Sequence, residues 1–408
     1  MLSVLPLRRP AHDTNYVATR KARLMRLCFV ADPASIHTQR WVGYCAAAGH
    51  KVHLVNLGPQ PAQQFDWPGP QHHTLPEPLT LAIPGARGLV NLFARRHALR
   101  ALLAEIRPDV LHAHYIADPG WFAALSGFHP LVLTAWGSDL LVGLRQGPWL
   151  NRWLTRYALR RADLLTADAR QLLDVAQPHL RPGARTELIR FGVDTRDFSP
   201  GSDATWRVRL NLGHAPLMIS IRQCHPLYNI DIIIRAFARV RETLPTVRLV
   251  VKLVSQGVNN PYLAQTRALV SRLALDDVVI FVPQVAYTEM PDLYRSANVV
   301  VSVPSSDGMP VSVLEAMACG APVVASDLPA LRELTADGAD LSLVPVRDAE
   351  ALSRAVLTLL TDPVRRQQAV DRNLATVRRT ADFAVEMARM EQLYRSLALD
   401  GAEGRRNA

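Results

Sequence analysis

The sequence predicts an α/β protein of two domains, each built on a parallel sheet. Three observations carry this. At 408 residues the chain is too long for one ordinary core. Short runs rich in Val, Leu and Ile recur in both halves, alternating with stretches of helical apolar spacing, the pattern of parallel sheets with helical crossovers. Pro, Gly, Ser and Asp gather over 199–213, as they do in a linker.

Taken in order, residues 1–24 mix Arg, Pro, Asp and Asn without periodicity and read as a disordered basic extension. A first domain then spans 25–198. Apolar 27–31 is a strand, Asp32-Pro33-Ala34-Ser35 turns into a helix over 36–48, Gly49 ends it, and 52–57 is the next strand. This βαβ opening puts Ser35 and His37 at a helix N-terminus, where the crevice of such a sheet opens. Residues 59–84, rich in Pro and Gln, read as loop. A basic helix over 89–106 breaks at Arg107-Pro108-Asp109, and 110–114 is a strand. His112 and His114 share one face of that strand. A His-x-His pair can bind metal, but no third ligand accompanies it, and a core histidine is the plainer fate of at least one. A helix starts at 120, and strand 131–134 ends in Ala135-Trp136-Gly137-Ser138-Asp139.

Over 147–165, Trp149, Trp153 and Tyr157 alternate with Arg152, Arg156, Arg160 and Arg161. That spacing suits a helix in a membrane interface, and also one packed on the sheet with its arginines reaching to solvent. A strand over 164–167 follows. The second domain, 214–382, reads as strands at 217–221, 247–254, 278–282, 298–303 and 323–325. Helices fall between them and at 350–361 and 363–380. A helix over 383–397 and a loose polar tail over 398–408 end the chain.

Composition narrows the function. Hydrophobic content of 49% and charged content of 20% are globular values. No apolar run reaches the roughly 18 residues of a membrane span. Met1–Leu7 is short and leads into Arg8-Arg9-Pro10, unlike a signal peptide. The four cysteines form no CxxC and no metal spacing, which suits a reducing cytosol and a cytoplasmic protein. Residues 1–200 carry 23 Lys and Arg against 14 Asp and Glu, whereas 201–408 carry 23 against 22. The basic character therefore belongs to the first half, as an acidic substrate or an anionic membrane surface would require. Nucleic acid is not expected as a partner, because no recognised binding module accompanies the charge.

The most informative stretch is 305–334. Ser305–Met309 is a turn, Pro310 suits the first helical position, and Gly320 with Pro322 closes the helix near Cys319. That helix is apolar except for Ser312, Glu315 and Cys319, which share one stripe. An unpaired buried carboxylate is costly, so Glu315 faces a cleft, an ion pair or a ligand hydroxyl. An exposed Glu on an amphipathic helix is the plain alternative.

Asp307 and Glu315 stand with seven residues between them, followed by Ala-Met-Ala-Cys-Gly-Ala-Pro-Val-Val-Ala-Ser. This resembles the E-x7-E signature of the family-4 retaining glycosyltransferases, with Asp as the first acid. The resemblance covers about 25–397. It implies the GT-B fold, two Rossmann-like domains facing across a cleft, with the 383–397 helix crossing back to the first. It also implies a nucleotide-sugar donor as substrate, with no cofactor, and a glycan or lipid-linked acceptor on the first domain. Asp307 would meet the donor sugar hydroxyls, Glu315 the ribose and Arg222 the diphosphate. The N–H groups of Gly308, Met309, Val311 and Ser312 offer an anion site at a helix N-terminus.

Two departures from the family shape the rest of the site. Tyr228-Asn229 stands where the family has Lys-Gly, which makes Lys252 a candidate replacement cation. Trp136 stands where the family has a histidine that touches the donor sugar, leaving His112 or His114 to take that contact. Ser35, His37, Trp136 and Asp139 complete the expected cleft. No Asp-x-Asp pair occurs, so no metal site is expected and the diphosphate charge falls to protein groups. Peripheral attachment to the inner membrane face fits the charge split. The departures leave a non-catalytic GT-B protein, binding a nucleotide sugar or a partner enzyme, as the alternative. A nicotinamide dehydrogenase is disfavoured by the missing G-x-G-x-x-G.

Overall fold

In the computed structural model, which describes residues 24–58, 69–75, 86–202, 205–253, 260–283 and 285–406, strands and helices alternate throughout. The first half runs β1 (Arg26–Val30), α1 (Ile36–Ala47), β2 (Lys51–Asn56), β3 (Gln71–Thr74), α2 (Ala86–Ile106), β4 (Val110–His114), α3 (Trp121–Ser126), β5 (Leu131–Ala135), α4 (Trp149–Arg161), β6 (Leu164–Ala167), α5 (Arg170–Ala176) and β7 (Arg185–Leu188). Then come α6 (Thr205–Arg209), β8 (Leu217–Ser220), α7 (Ile230–Thr243), β9 (Arg248–Lys252), α8 (Pro261–Arg272), β10 (Val279–Val282), α9 (Met290–Ser296), β11 (Val299–Ser302), α10 (Val311–Ala318), β12 (Val323–Ser326), α11 (Pro329–Ala336) and β13 (Ser342–Val344). Three helices finish the chain: α12 (Ala349–Thr361), α13 (Pro363–Thr380) and α14 (Phe383–Arg406).

The strands form two sheets, ordered β3-β2-β1-β4-β5-β6-β7 and β10-β9-β8-β11-β12-β13. Every strand pair in both is parallel. Helices cover both faces of such sheets, which is why β4, β5, β6, β8, β11 and β12 are buried along their whole length. The two Rossmann-like halves meet across a cleft. The last helix, α14, returns to the first half, where Tyr394 is fully buried against β4. Gly192 permits this return: its φ is +66°, and a Cβ there would lie 2.7 Å from the Phe383 Cα.

Four details differ from the sequence reading. The stretch read as a loop over 59–84 contains β3. Its Gln-His-His-Thr sequence has no apolar run, and it forms by pairing its backbone with β2 at the sheet edge. The segment read as a linker over 199–213 contains α6, whose Trp206 is buried. The tail read as loose over 398–408 is helical as far as Arg406, with Ala398 still buried. Pro310, with ψ 108°, is extended; it caps α10 instead of starting it. The basic extension 1–24 lies outside the described residues apart from Leu24.

Candidate active site

In each sheet the strands run outward in both directions from one strand, so the crevice opens beside β1 and β4 in the first and beside β8 and β11 in the second. Ligands of open α/β sheets bind at such switch points, at the strand C-termini. The residues that follow these four strands are therefore brought together.

From the second sheet come Arg222, just after β8, and Asp307 to Ser312, after β11. Arg222 Nη2 lies 2.7 Å from Asp307 Oδ2. Its Nη1 donates to Ser312 Oγ at 3.2 Å, and its guanidinium carbon sits 4.4 Å from the centre of the Tyr228 ring. Burial works against the Arg222 charge, but Asp307 and Tyr228 more than offset it and its pKa is raised. The Asp307 carboxyl is also raised, by its own burial, against the pull of Arg222 and the Gly308 N–H. Glu315, on the cleft side of α10, is 6% exposed and accepts a 2.9 Å hydrogen bond from Tyr294 Oη. Burial raises its pKa, opposed by Tyr294, Arg40 and Lys252 among others. Lys252 ends β9. Its pKa is lowered by burial, with Glu315 pulling the other way. Arg222, Lys252, Tyr287, Ser312 and Glu315, with His37 from the first half, line a cavity of about 340 Å³.

The first sheet supplies a wall of aromatic and imidazole rings. His37 stacks on Phe191 at 4.8 Å and meets Trp136 edge-on at 5.6 Å. Burial first, then Arg40 and Arg222, lower its pKa to about 4, so it is neutral at pH 7. His114 lies behind, 4.8 Å from Trp41 and 6.1 Å from Trp136, its pKa lowered to about 3 chiefly by burial. Both ring nitrogens of His114, Nδ1 of His37 and Nε1 of Trp136 are buried without a protein hydrogen-bond partner.

The two halves touch where the loop after β5 meets the loop after β11. Gly137 has φ +120°, and a Cβ on it would stand 3.0 Å from Gly308 N. A Cβ on Gly308 would stand 2.9 Å from Asp168 Oδ1. Asp168, directly after β6, is 3% exposed, and the Met309 N–H beside it favours its charged form. Burial, with Asp307 and Asp139 nearby, holds its carboxyl well above the usual range. Sequence reading missed Asp168, Arg40, Tyr287 and Tyr294. For Asp168 a signal existed: an acid placed directly at the C-terminal end of a buried parallel strand.

Some expected cleft residues lie elsewhere. His112 is a core residue: Nδ1 is 2.6 Å from Tyr394 Oη and Nε2 is 2.6 Å from Thr134 Oγ1. A ring satisfied on both sides has no nitrogen for a donor sugar. Asp139 is 1% exposed and accepts hydrogen bonds from the N–H groups of Ile116, Trp136, Gly137 and Leu140. It staples the loops after β4 and β5 together and does not face the cavity. Ser35 caps α1 by backbone position only, without a side-chain bond. The expected cradle of four N–H groups is also reduced. Gly308 donates to Asp307 at 3.0 Å, and the Met309 N–H lies beside Asp168. Val311 and Ser312, in the first turn of α10, have no intrahelical acceptor and remain. A larger cavity of about 580 Å³, against Arg100, Arg107 and Phe128, lies where β4 begins, at the opposite end of the sheet. No described helix is long and apolar enough to cross a membrane.

Both halves of the chain resemble known proteins. Residues 26–169 match the family described as glycosyl transferase 4-like, and 203–375 match glycosyl transferases group 1. A GDP-mannose-dependent alpha-(1-6)-phosphatidylinositol monomannoside mannosyltransferase of Mycolicibacterium smegmatis is 31% identical over 294 residues, covering 66% of this chain and 75% of that protein. A D-inositol 3-phosphate glycosyltransferase of Frankia alni is 31% identical over 302 residues, covering 66% and 73%. The match to the Kribbella flavida protein of the same name, at 32%, spans 45% of each chain. Among solved structures, sucrose-phosphate synthase from Thermosynechococcus elongatus superposes with a TM-score of 0.78 at 24% identity, covering 91% of this chain and 99% of that one. HepE of Anabaena in complex with UDP-glucose gives 0.76 at 17%, covering 91% and 100%. These two show the fold alone. With a relative matched over three quarters of its length and an acid pair at the expected spacing on the cleft, the chain belongs to family 4 of the glycosyltransferases, retaining GT-B enzymes that use nucleotide sugars.

Proposed function

We propose that the donor lies in the 340 Å³ cavity with its ribose against Glu315 and its diphosphate against Arg222, Lys252 and the start of α10. The observation that carries this reading is the pairing of one buried carboxylate with two cations and two unengaged helix N–H groups around a single cavity. Leaving-group charge is the main electrostatic demand of the reaction, and fixed donors in a dry site meet it without reorganisation. Glu315 is the one carboxylate among the residues lining the cavity. With Glu315 turned to the ribose and Asp307 ion-paired to Arg222 at 2.7 Å, neither carboxylate is left as a nucleophile. That supports attack from the face the diphosphate leaves, without a covalent glycosyl-enzyme intermediate. Asp307, held by Arg222, would present its free lone pairs to the donor sugar. The acceptor would approach from the side of His37, His114 and Trp136. The named relatives act on inositol-based acceptors, which supports a glycan or lipid-linked acceptor carrying an anionic group, in keeping with the basic first half. The protein would work at the cytoplasmic face of a membrane, with Cys28, Cys45, Cys224 and Cys319 as free buried thiols.

With charge supplied by Arg222, Lys252 and α10, transfer is expected to need no metal. Purified protein should be screened by thermal shift against nucleotide sugars. Transfer should then be measured with the donor that stabilises it most, since binding to the folded state alone raises the melting temperature. Undiminished turnover in a chelator is the expected result. Activity abolished by the chelator and restored by magnesium or manganese would overturn the metal-free reading. Donor binding with neither transfer nor hydrolysis would favour the non-catalytic alternative.

A further inference from the structure

Helix α4 is a helix of the sheet first and carries a second, outward face. Its inner stripe, Leu154, Thr155, Ala158 and Leu159, is buried, and Thr155 Oγ1 accepts a 3.0 Å hydrogen bond from Trp121 Nε1. The outer stripe is left to solvent. Trp149 is 73% exposed, Leu150 40% and Trp153 52%, and Trp153 stacks on Tyr157 at 5.7 Å. Leaving two tryptophans in water forgoes a large burial gain, and together they make a contiguous apolar patch, which marks an interaction surface. The charge around it has one sign. From 140 to 162 there is no Asp or Glu, while Arg145, Arg152, Arg156, Arg160 and Arg161 all fall there. Among the described residues none of Arg145, Arg152, Arg156 and Arg160 is in an ion pair.

We infer that the N-terminal half of α4 docks on an anionic lipid bilayer, with Trp149, Leu150 and Trp153 entering the headgroup layer and the arginines beside them meeting lipid phosphates. Tryptophan beside arginine on one helix face is the chemistry of that interface, apolar body inward and cation at headgroup depth. The unpaired positive charge selects lipid over a second copy of this basic face, which would repel its own kind. Topology gives the contact a use. Because α4 joins the parallel neighbours β5 and β6, it starts at the C-terminal end of β5, the rim where Trp136 and Gly137 border the cleft, and runs away from it. The docked end would therefore hold the mouth of the cleft at the bilayer surface.

The inference does not depend on the transfer reaction, since vesicle binding needs neither donor nor acceptor. The full chain should be sedimented with phosphatidylcholine vesicles, with and without phosphatidylglycerol. Binding is expected with the anionic vesicles and should fall steeply as salt rises, because screening shortens to about 10 Å at about 0.1 M and further beyond. Quenching of tryptophan fluorescence by brominated lipid should accompany it. The W149A/W153A variant should lose the quenching and bind at least about tenfold more weakly. R152Q/R156Q should lose a similar factor on anionic vesicles only. Both variants should melt like the wild type, because the replaced side chains lie outside the buried stripe. Equal recovery on neutral and anionic vesicles at low salt would overturn the inference, as would unchanged partitioning of W149A/W153A. A dimer of the wild type that W149A/W153A dissolves would assign the patch to contact between copies and overturn it too.

Discussion

At the scale of single residues, Glu315 shows how a group proposed to bind the donor can cost the fold something. Burial raises its carboxyl, and Tyr294, Arg40 and Lys252 recover part of that. Between its unfolded and folded values, the unfolded chain has released a proton that the native state keeps. Stability from this group therefore falls as pH rises through the window, and the cost is complete above it. Glu315→Gln removes the charge and keeps an acceptor for Tyr294. At pH 7 the variant should melt at or above the wild-type temperature, a difference that vanishes in acid below the ordinary glutamate range. Donor affinity should move the other way, weaker by about 1–3 kcal/mol, the range for a hydrogen bond to a charged group. Melting curves across pH, with nucleotide titrations beside them, check both signs. Equal nucleotide affinity in the two proteins would remove Glu315 from the ribose.

Among elements, α14 has the clearest polar joint. Tyr394 Oη, His112, Thr134 and Thr166 form a chain of 2.6 Å contacts that passes from α14 through β4 and β5 to β6. All four residues are buried, so each group depends on the next for satisfaction. Tyr394→Phe keeps the ring and removes the hydroxyl, stranding His112 Nδ1. The expected cost is about 1–3 kcal/mol, read in urea as a lower midpoint at unchanged slope. Transfer to a soluble acceptor should persist, since nothing in the chain reaches the cavity. A loss below about 0.5 kcal/mol, the ordinary surface value, would show that the joint contributes packing alone.

Over the whole molecule, the halves are held by a few buried polar contacts as well as by the chain. Arg190, 5% exposed and just after β7, reaches Asp337 at 2.6 Å, Glu333 at 3.3 Å and the Thr380 carbonyl at 3.0 Å. Removing the cation would leave those carboxylates facing each other, though Arg170 remains 3.8 Å from Glu333. Arg190→Ala should cost toward the lower end of about 3–5 kcal/mol, because Asp337 keeps some contact with water. It should also widen the cleft, seen as a larger radius of gyration in solution scattering and restored in part by saturating donor. An unchanged radius would mean that the Asp168–Met309 and Gly137–Gly308 contacts suffice to hold the halves together.

Much of this was written in local pattern. Buried runs alternating with helical spacing dictate two parallel sheets, because only crossover helices can join parallel neighbours. The interval from Asp307 to Glu315 and the position of Arg222 after a strand are likewise local, so the residues proposed for the donor side could be picked out directly. What required the tertiary structure is where each polar side chain ends up. His112 and His114 look alike on one strand, yet α14, arriving from 282 residues away, claims the first and leaves the second without a partner. Asp139 read as a cleft acid and became a backbone staple, because four N–H groups converge on it from two loops. Asp168 reaches the loop after β11 only once the two halves close. β3 escaped notice because an edge strand can form through its backbone, with almost no demand on side chains. Propensity and periodicity act within a few residues of themselves, whereas the satisfaction of a buried charge or ring nitrogen is settled by groups that only folding brings near.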